Sequence, residues 1–284
     1  MKPLLKFAFL TCLATTFFSD SAMAIATVYP PDASKRFAVS IGMGIVPVNS
    51  IVCNDAQRIH DAFIKHCGVE EENSILIVDK KATLANIQKI FTEELPRLTQ
   101  PGDTILIYWS GTGGKTKDGK QVFLPTYNNA PDNPHVNMVT NEMFCHWIEK
   151  LSGRKVLILI DSCNSAGMAT ANAQTLSQSL SGTGQANTVF ITSSEADEIS
   201  FVRKDGGMSV FTYEVLKSIE EASTPLTHVQ LYEMVKPRVD QYVKNMLIDT
   251  VLGQTVFMRD NMTEPLVLIP ESKAVSPTIP AIIK

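Results

Sequence analysis

ILIYWSGTGGKT, Ile105 to Thr116, runs from uninterrupted apolar residues into a turn of small ones. Bounded by Pro101-Gly102 on one side and glycines on the other, DTILIYW (103–109) reads as a buried strand ending in a tight loop. Runs of the same kind recur: RFAVSIGM (36–43), SILIV (74–78), KVLILI (155–160), TVFITSS (188–194) and GQTVFM (253–258). They are apolar at successive rather than alternate positions, as strands buried on both faces must be. Helical periodicity fills most of the gaps between them. The sequence therefore predicts an α/β three-layer sandwich, a mostly parallel six-stranded sheet flanked by helices.

Asn54-Asp55 offers an N-cap for a helix with Ala56, Ile59, Phe63 and Ile64 on one face, stopped by Gly68. Thr83 caps a second helix, carrying Leu84, Ile87, Ile90, Phe91 and Leu95 at helical spacing, and Asn141 opens a third that runs to Leu151. Two more follow around Val210–Glu221 and Thr227–Asn245. KDGKQVFLP reads as a hairpin, residues 127–137 as a loop rich in Asn and Pro, and residues 170–187 as a mobile loop. Ligands of parallel sheets sit at the carboxyl ends of the strands. WSGTGG follows one such end and DSCNSAG (161–167) another, so these two loops make one candidate site.

Three stretches have different destinies. Residues 1–24 read as a signal peptide: Lys2 and Lys6 precede an apolar core, and Ala22-Met23-Ala24 is an A-x-A cleavage site. The mature chain is then expected to start at Ile25, secreted or periplasmic, with no later segment apolar enough to span a bilayer. Cys12 sits in a poor context for lipidation. Residues 25–260 form one domain of a size that closes a full core. Residues 261–284 are a proline-spaced tail with no evident structure. A net charge of -4 leaves no basic footprint for nucleic acid. A helix over 54–66 spans ~20 Å, far beyond the ~4.4–6.8 Å between bridged Cα atoms, which argues against a Cys53–Cys67 disulfide. No C-x-x-C or His/Cys cluster at ligand spacing suggests zinc.

Two chemistries compete for the opening stretch. WSGTGGKT matches the phosphate-binding G-x-x-x-x-G-K-[ST] loop except that Trp109 holds the first glycine's place, and KVLILID resembles the acidic strand that accompanies it. Tryptophan cannot supply that glycine's turn. The lysine should also open a helix facing the phosphates, whereas KTKDGKQVFLP reads as turn and strand, and an exported protein meets little nucleoside triphosphate.

From Phe37 to about Met258 the sequence resembles the caspase-like cysteine peptidases, which include caspases, metacaspases and their bacterial relatives. The resemblance rests on Ser110-Gly111-Thr112-Gly113, on Asp161-Ser162-Cys163-Asn164-Ser165-Ala166-Gly167, on Asn54-Asp55-Ala56, on Ser193 to Ser200 and on Phe211-Thr212-Tyr213, in that family's order. It implies a caspase-like fold, Cys163 as the nucleophile, and an oxyanion hole from the backbone N–H groups of Gly113 and Cys163. It also implies an acidic pocket of Asp55, Ser110 and Asp161 for Arg or Lys, as in metacaspases; caspases proper, which cut after Asp, lack this pair. Cys53 stands one residue nearer Asp55 than the family's pocket cysteine. The family's general base is a histidine where this chain has Thr112. An ordinary cysteine is only a few per cent thiolate at neutral pH, and a threonine can neither hold a positive charge nor protonate a leaving amine.

The bland readings are that Asp161 caps the turn after its strand and that Cys163 is a small core residue. His60, His66 and His146 read as surface or packing residues, His228 has no evident partner, and His135 lies in the loop leaving the catalytic side as a substitute base. Three functions follow: a degenerate peptidase that holds Arg/Lys-containing peptides and regulates an active relative; a slow endopeptidase using His135 or an unaided thiolate; and a non-catalytic interaction module. None requires a cofactor, and the family's occasional calcium dependence leaves an acidic-loop calcium site open.

Overall fold

The computed structural model describes residues 34–44, 48–116, 119, 121–127, 136–170, 187–246 and 253–271. The strands are β1 (Arg36–Met43), β2 (Ser74–Val78), β3 (Thr104–Gly111), β4 (Gly114–Lys115), β5 (Val122–Pro125) and β6 (Met138–Thr140), then β7 (Lys155–Asp161), β8 (Thr188–Thr192), β9 (Leu226–Thr227), β10 (Phe257–Asp260) and β11 (Val267–Ile269). The helices are α1 (Asn49–His66), α2 (Leu84–Lys89), α3 (Leu95–Leu98), α4 (Asn141–Glu149), α5 (Ala166–Thr170), α6 (Val210–Glu221) and α7 (His228–Met246), with a π turn, Ile90–Glu94, joining α2 to α3.

A six-stranded sheet in the order β10-β8-β7-β3-β1-β2 forms the middle layer. Its strands are parallel except β10, which runs against β8. The chain lays β2 on one side of β1, then returns to add β3, β7 and β8 on the other. Strand order thus reverses between β1 and β3, and a crevice opens at their carboxyl ends.

Two-residue alternation divides the sheet between two cores. Ile105, Ile107 and Trp109 face Ile87, Phe91, Phe144 and Trp147. Leu106 and Tyr108, with Leu157 and Leu159 of β7, face Ile59 and Phe63 of α1, Val215 of α6 and Leu231 of α7. Each large apolar side chain buried this way contributes roughly 1.5–3 kcal/mol. Phe91 adds a T-shaped contact to Phe144 at 5.5 Å and a stacked one to Trp147 at 5.8 Å. The three-layer reading of the apolar runs is what the chain adopts.

Some boundaries moved for identifiable reasons. α1 begins at Asn49, not beside Asn54, because Asn49 accepts from Gly44 N (3.1 Å) and donates to Asp79 (3.0 Å). Asn54 instead donates to Gly207 O, and Asp55 turns inward. Other starts held: Thr83 caps α2 through Asn86 N, and α4 opens at Asn141 with Thr140 before it accepting from Met143 N. The sixth strand lies at Phe257–Asp260, C-terminal to the 253–258 expectation, because Gln254 and Thr255 are engaged by a neighbouring loop. The predicted hairpin after the glycine loop is part of a three-stranded sheet, β4-β5-β6.

The segment after Asp260 has structure that its prolines concealed. β11 pairs with β9, and Arg36 donates to the carbonyls of Val267 and Leu268. The signal-peptide residues 1–24, the greater part of the two long loops and residues 272–284 lie outside the described residues.

Candidate active site

The site grows from the ends of two strands. Ser110 of β3 is in register with Asp161 of β7. Both continue the period that points Tyr108 and Leu159 toward α1 and α6, so hydrophilic groups replace apolar ones at the top of that core. Gly42 of β1 is in register with Ser110. A Cβ at Gly42 would lie 2.6 Å from Val52 O and 2.8 Å from the Ala56 Cβ. This bare backbone lets α1 press onto the strand end and deliver Asp55.

Asp55, 0% exposed, accepts hydrogen bonds from Ser110 Oγ (3.1 Å), Ser209 Oγ (2.6 Å) and Ser209 N (3.3 Å). Asp161, 2% exposed, accepts from Ser200 Oγ (2.5 Å), Thr212 Oγ1 (2.6 Å) and Thr212 N (3.1 Å). The last bond puts Asp161 at the amino end of α6, where exposed N–H groups favour a carboxylate. Asp161 therefore serves the start of α6 through Thr212, 51 positions on in sequence, and not the turn after its own strand. Among the described residues no lysine, arginine or histidine pairs with either carboxylate. Burial, with the neighbouring charge of Asp161, pushes Asp55 up to about 7, and burial raises Asp161 against the pull of its hydroxyl donors.

Cys163 lies on the adjoining turn, half-buried and outside both cores. A bed of hydroxyls fixes that turn from below: Ser193 and Ser194 donate to Ser162 O, and Ser194 N donates to Ser165 Oγ. Asn164 takes a positive φ of 58°, which asparagine tolerates. Its N–H reaches Glu198 O (2.9 Å) and its side chain Ala196 O (2.9 Å). From the other side, Gly113 packs so closely that a Cβ would stand 2.0 Å from Cys163 O. The Cys163 sulfur accepts from Ser200 N at 3.4 Å.

The structure therefore gathers Asp55, Ser110 and Asp161 at one point and sets Gly113 against Cys163, with Thr112 between Gly111 and Gly113. The phosphate-loop reading fails: Lys115 lies in β4, not at a helix start, and pairs with Asp197. His135 lies outside the described residues. The four described histidines sit elsewhere. His60 contacts Ser74 at the amino end of β2, His66 ends α1 and His146 pairs with Glu149. His228 accepts from Leu266 N through Nδ1, so its Nε2 carries the proton it gives Asp260 at 2.9 Å, at the opposite end of the sheet.

Cys53 and Cys67 are unbridged, and burial pushes Cys67 and Cys145 up to about 12. No group of three or more His, Cys, Asp or Glu among the described residues could hold a metal ion. Sequence reasoning assigned no role to Ser200, Ser209, Thr212 or Gln254. Ser200 and Thr212 stood inside quoted motifs, while Ser209 and Gln254 carried no signal.

The caspase-domain family model matches residues 49–260, a span that holds Asp55, Ser110, Thr112, Gly113, Asp161 and Cys163. The chain belongs to the caspase-domain family. Caspase-1 from Spodoptera frugiperda superposes with a TM-score of 0.59 at 14% identity, over 84% of this chain and 91% of that one. A protein from Geobacter sulfurreducens superposes with a TM-score of 0.55 at 14% identity, over 86% and 100%. No relative among curated proteins matches the sequence. As a caspase-domain protein the chain is of the cysteine-type peptidase family, which acts on peptides or proteins. No helix among its described residues is long and apolar enough to cross a membrane.

Proposed function

We propose that this caspase-domain protein is exported and holds Arg- or Lys-containing peptides while cutting them slowly or not at all. The observation that carries the reading is the buried Asp55–Asp161 pair without a cationic partner among the described residues. Two like charges out of water call for a cation, and a guanidinium serves two carboxylates with directed hydrogen bonds. Cys163 remains beside the pocket as a nucleophile. Thr112 supplies no general acid or base, a loss commonly worth ~10²–10⁴ in rate. A chain that binds without turnover suits a regulator of an active relative.

Two measurements test this. Peptide aldehydes ending in Arg bind more than tenfold tighter than those ending in Asp, ~1.4 kcal/mol or more, and Asp161→Asn abolishes the difference. Equal binding or a preference for Asp overturns the pocket. The unaltered chain shows little Arg/Lys cleavage, Thr112→His raises it, and Thr112→His with Cys163→Ala removes the gain. Robust cleavage by the unaltered chain, lost on Cys163→Ala and on His135→Ala, would show that the base has moved and sink the degenerate reading.

A further inference from the structure

Ser200 touches both halves of the site. Its N–H donates to Cys163 Sγ at 3.4 Å and its hydroxyl to Asp161 at 2.5 Å. A buried amide holds it there. Gln254, 3% exposed, accepts from Phe201 N at 2.8 Å through Oε1 and donates to Ser200 Oγ at 3.3 Å through Nε2. The next residue clamps the other end of the loop: Glu198 accepts from Thr255 N at 2.6 Å and Thr255 Oγ1 at 2.9 Å, while its carbonyl receives Asn164 N. Gln254 and Thr255 therefore grip residues 198–201 on both sides of the peptide that faces the sulfur.

No described histidine lies beside Cys163 to steady a thiolate. A backbone N–H does so in part, because a hydrogen bond to the charged form favours that form. We infer that Gln254 is a positioning residue for Cys163, aiming the Ser200 N–H at the thiolate. The inference rests on Cys163 being the reactive group of the proposed function. It gives the short stretch before β10 a part in the chemistry, although that stretch is far from the catalytic loops in sequence.

The test is alkylation by iodoacetamide from about pH 6 to about pH 10, with each cysteine's rate followed by peptide mass spectrometry. In the unaltered chain Cys163 reacts faster than Cys53, while buried Cys67 and Cys145 stay unlabelled and report that the fold is intact. In Gln254→Leu the Cys163 rate at neutral pH falls roughly three- to tenfold. Its profile moves to higher pH and meets the unaltered one at the alkaline end, a convergence that a loss of access would not give. Ser200→Ala, which removes the hydroxyl that Gln254 and Asp161 share but leaves Gln254 on Phe201 N, gives a smaller shift and replaces Gln254→Leu if that variant labels Cys67. Coincident profiles overturn the role of Gln254 and leave Cys163 as the reactive group. A Cys163 no faster than Cys53 in the unaltered chain overturns both.

Discussion

Asp55 is a carboxyl group whose protonation the fold has altered. An aspartate free in solution titrates near ~3.9, while burial beside Asp161 lifts Asp55 to about 7. The folded state thus binds a proton that the unfolded state has released. Its contribution to stability is complete below the unfolded value, and it is lost as pH rises through about 7. Urea midpoints should fall between about pH 4 and about pH 7 and level off above, and Asp55→Asn should flatten part of that fall; a flat profile in the unaltered chain would contradict the assignment. A cationic ligand needs both carboxylates ionised, so affinity for Arg-ended peptides should rise over the same interval. Asp55, Ser110, Asp161 and Cys163 were legible because each sits in a short pattern, Ser110 and Asp161 at strand ends. Ser209 was not, since it reaches Asp55 across 154 positions and nothing local distinguishes it from any surface serine.

At the scale of elements, close backbone approach decides what the loops can tolerate. Gly113→Ala places a methyl group against the main chain of Cys163, and Gly42→Ala places one against α1. Each should cost about 1–3 kcal/mol, and the first should also disturb Cys163 alkylation. Gly207, whose Cβ would meet nothing closer than 3.6 Å, serves as the contrast: Gly207→Ala should stay within about 0.5 kcal/mol. Calorimetry on the three variants checks the ranking, and an unaffected Gly113→Ala would contradict the described packing. The strands β1, β2, β3, β7 and β8 were readable from apolar runs alone. The start of α1 and the start of β10 were less so, because Asn49 and Gln254 owe their parts to partners brought by the tertiary fold. The prolines after Asp260 hid β11, whose pairing with β9 is a two-strand contact with no sequence period of its own.

For the whole molecule, alternation of strands and helices announced the layers but not the strand order, which depends on the side of β1 where β3 is laid. That choice creates the crevice, and it persists in solved structures at 14% identity. The export proposal belongs to this scale too: mass spectrometry of the secreted or periplasmic fraction should find a chain starting at Ile25, whereas a full-length membrane-bound chain would refute it. The contact between Gly113 and Cys163 has a consequence for descent. Glycine and main-chain atoms shape the loop, together with the serine bed beneath it, so the side chain at 112 can change without the architecture being rebuilt. Selection could therefore trade cleavage for capture, and back again, in a single step, and lineages with this scaffold could alternate between scissors and clasp while their cores stay the same.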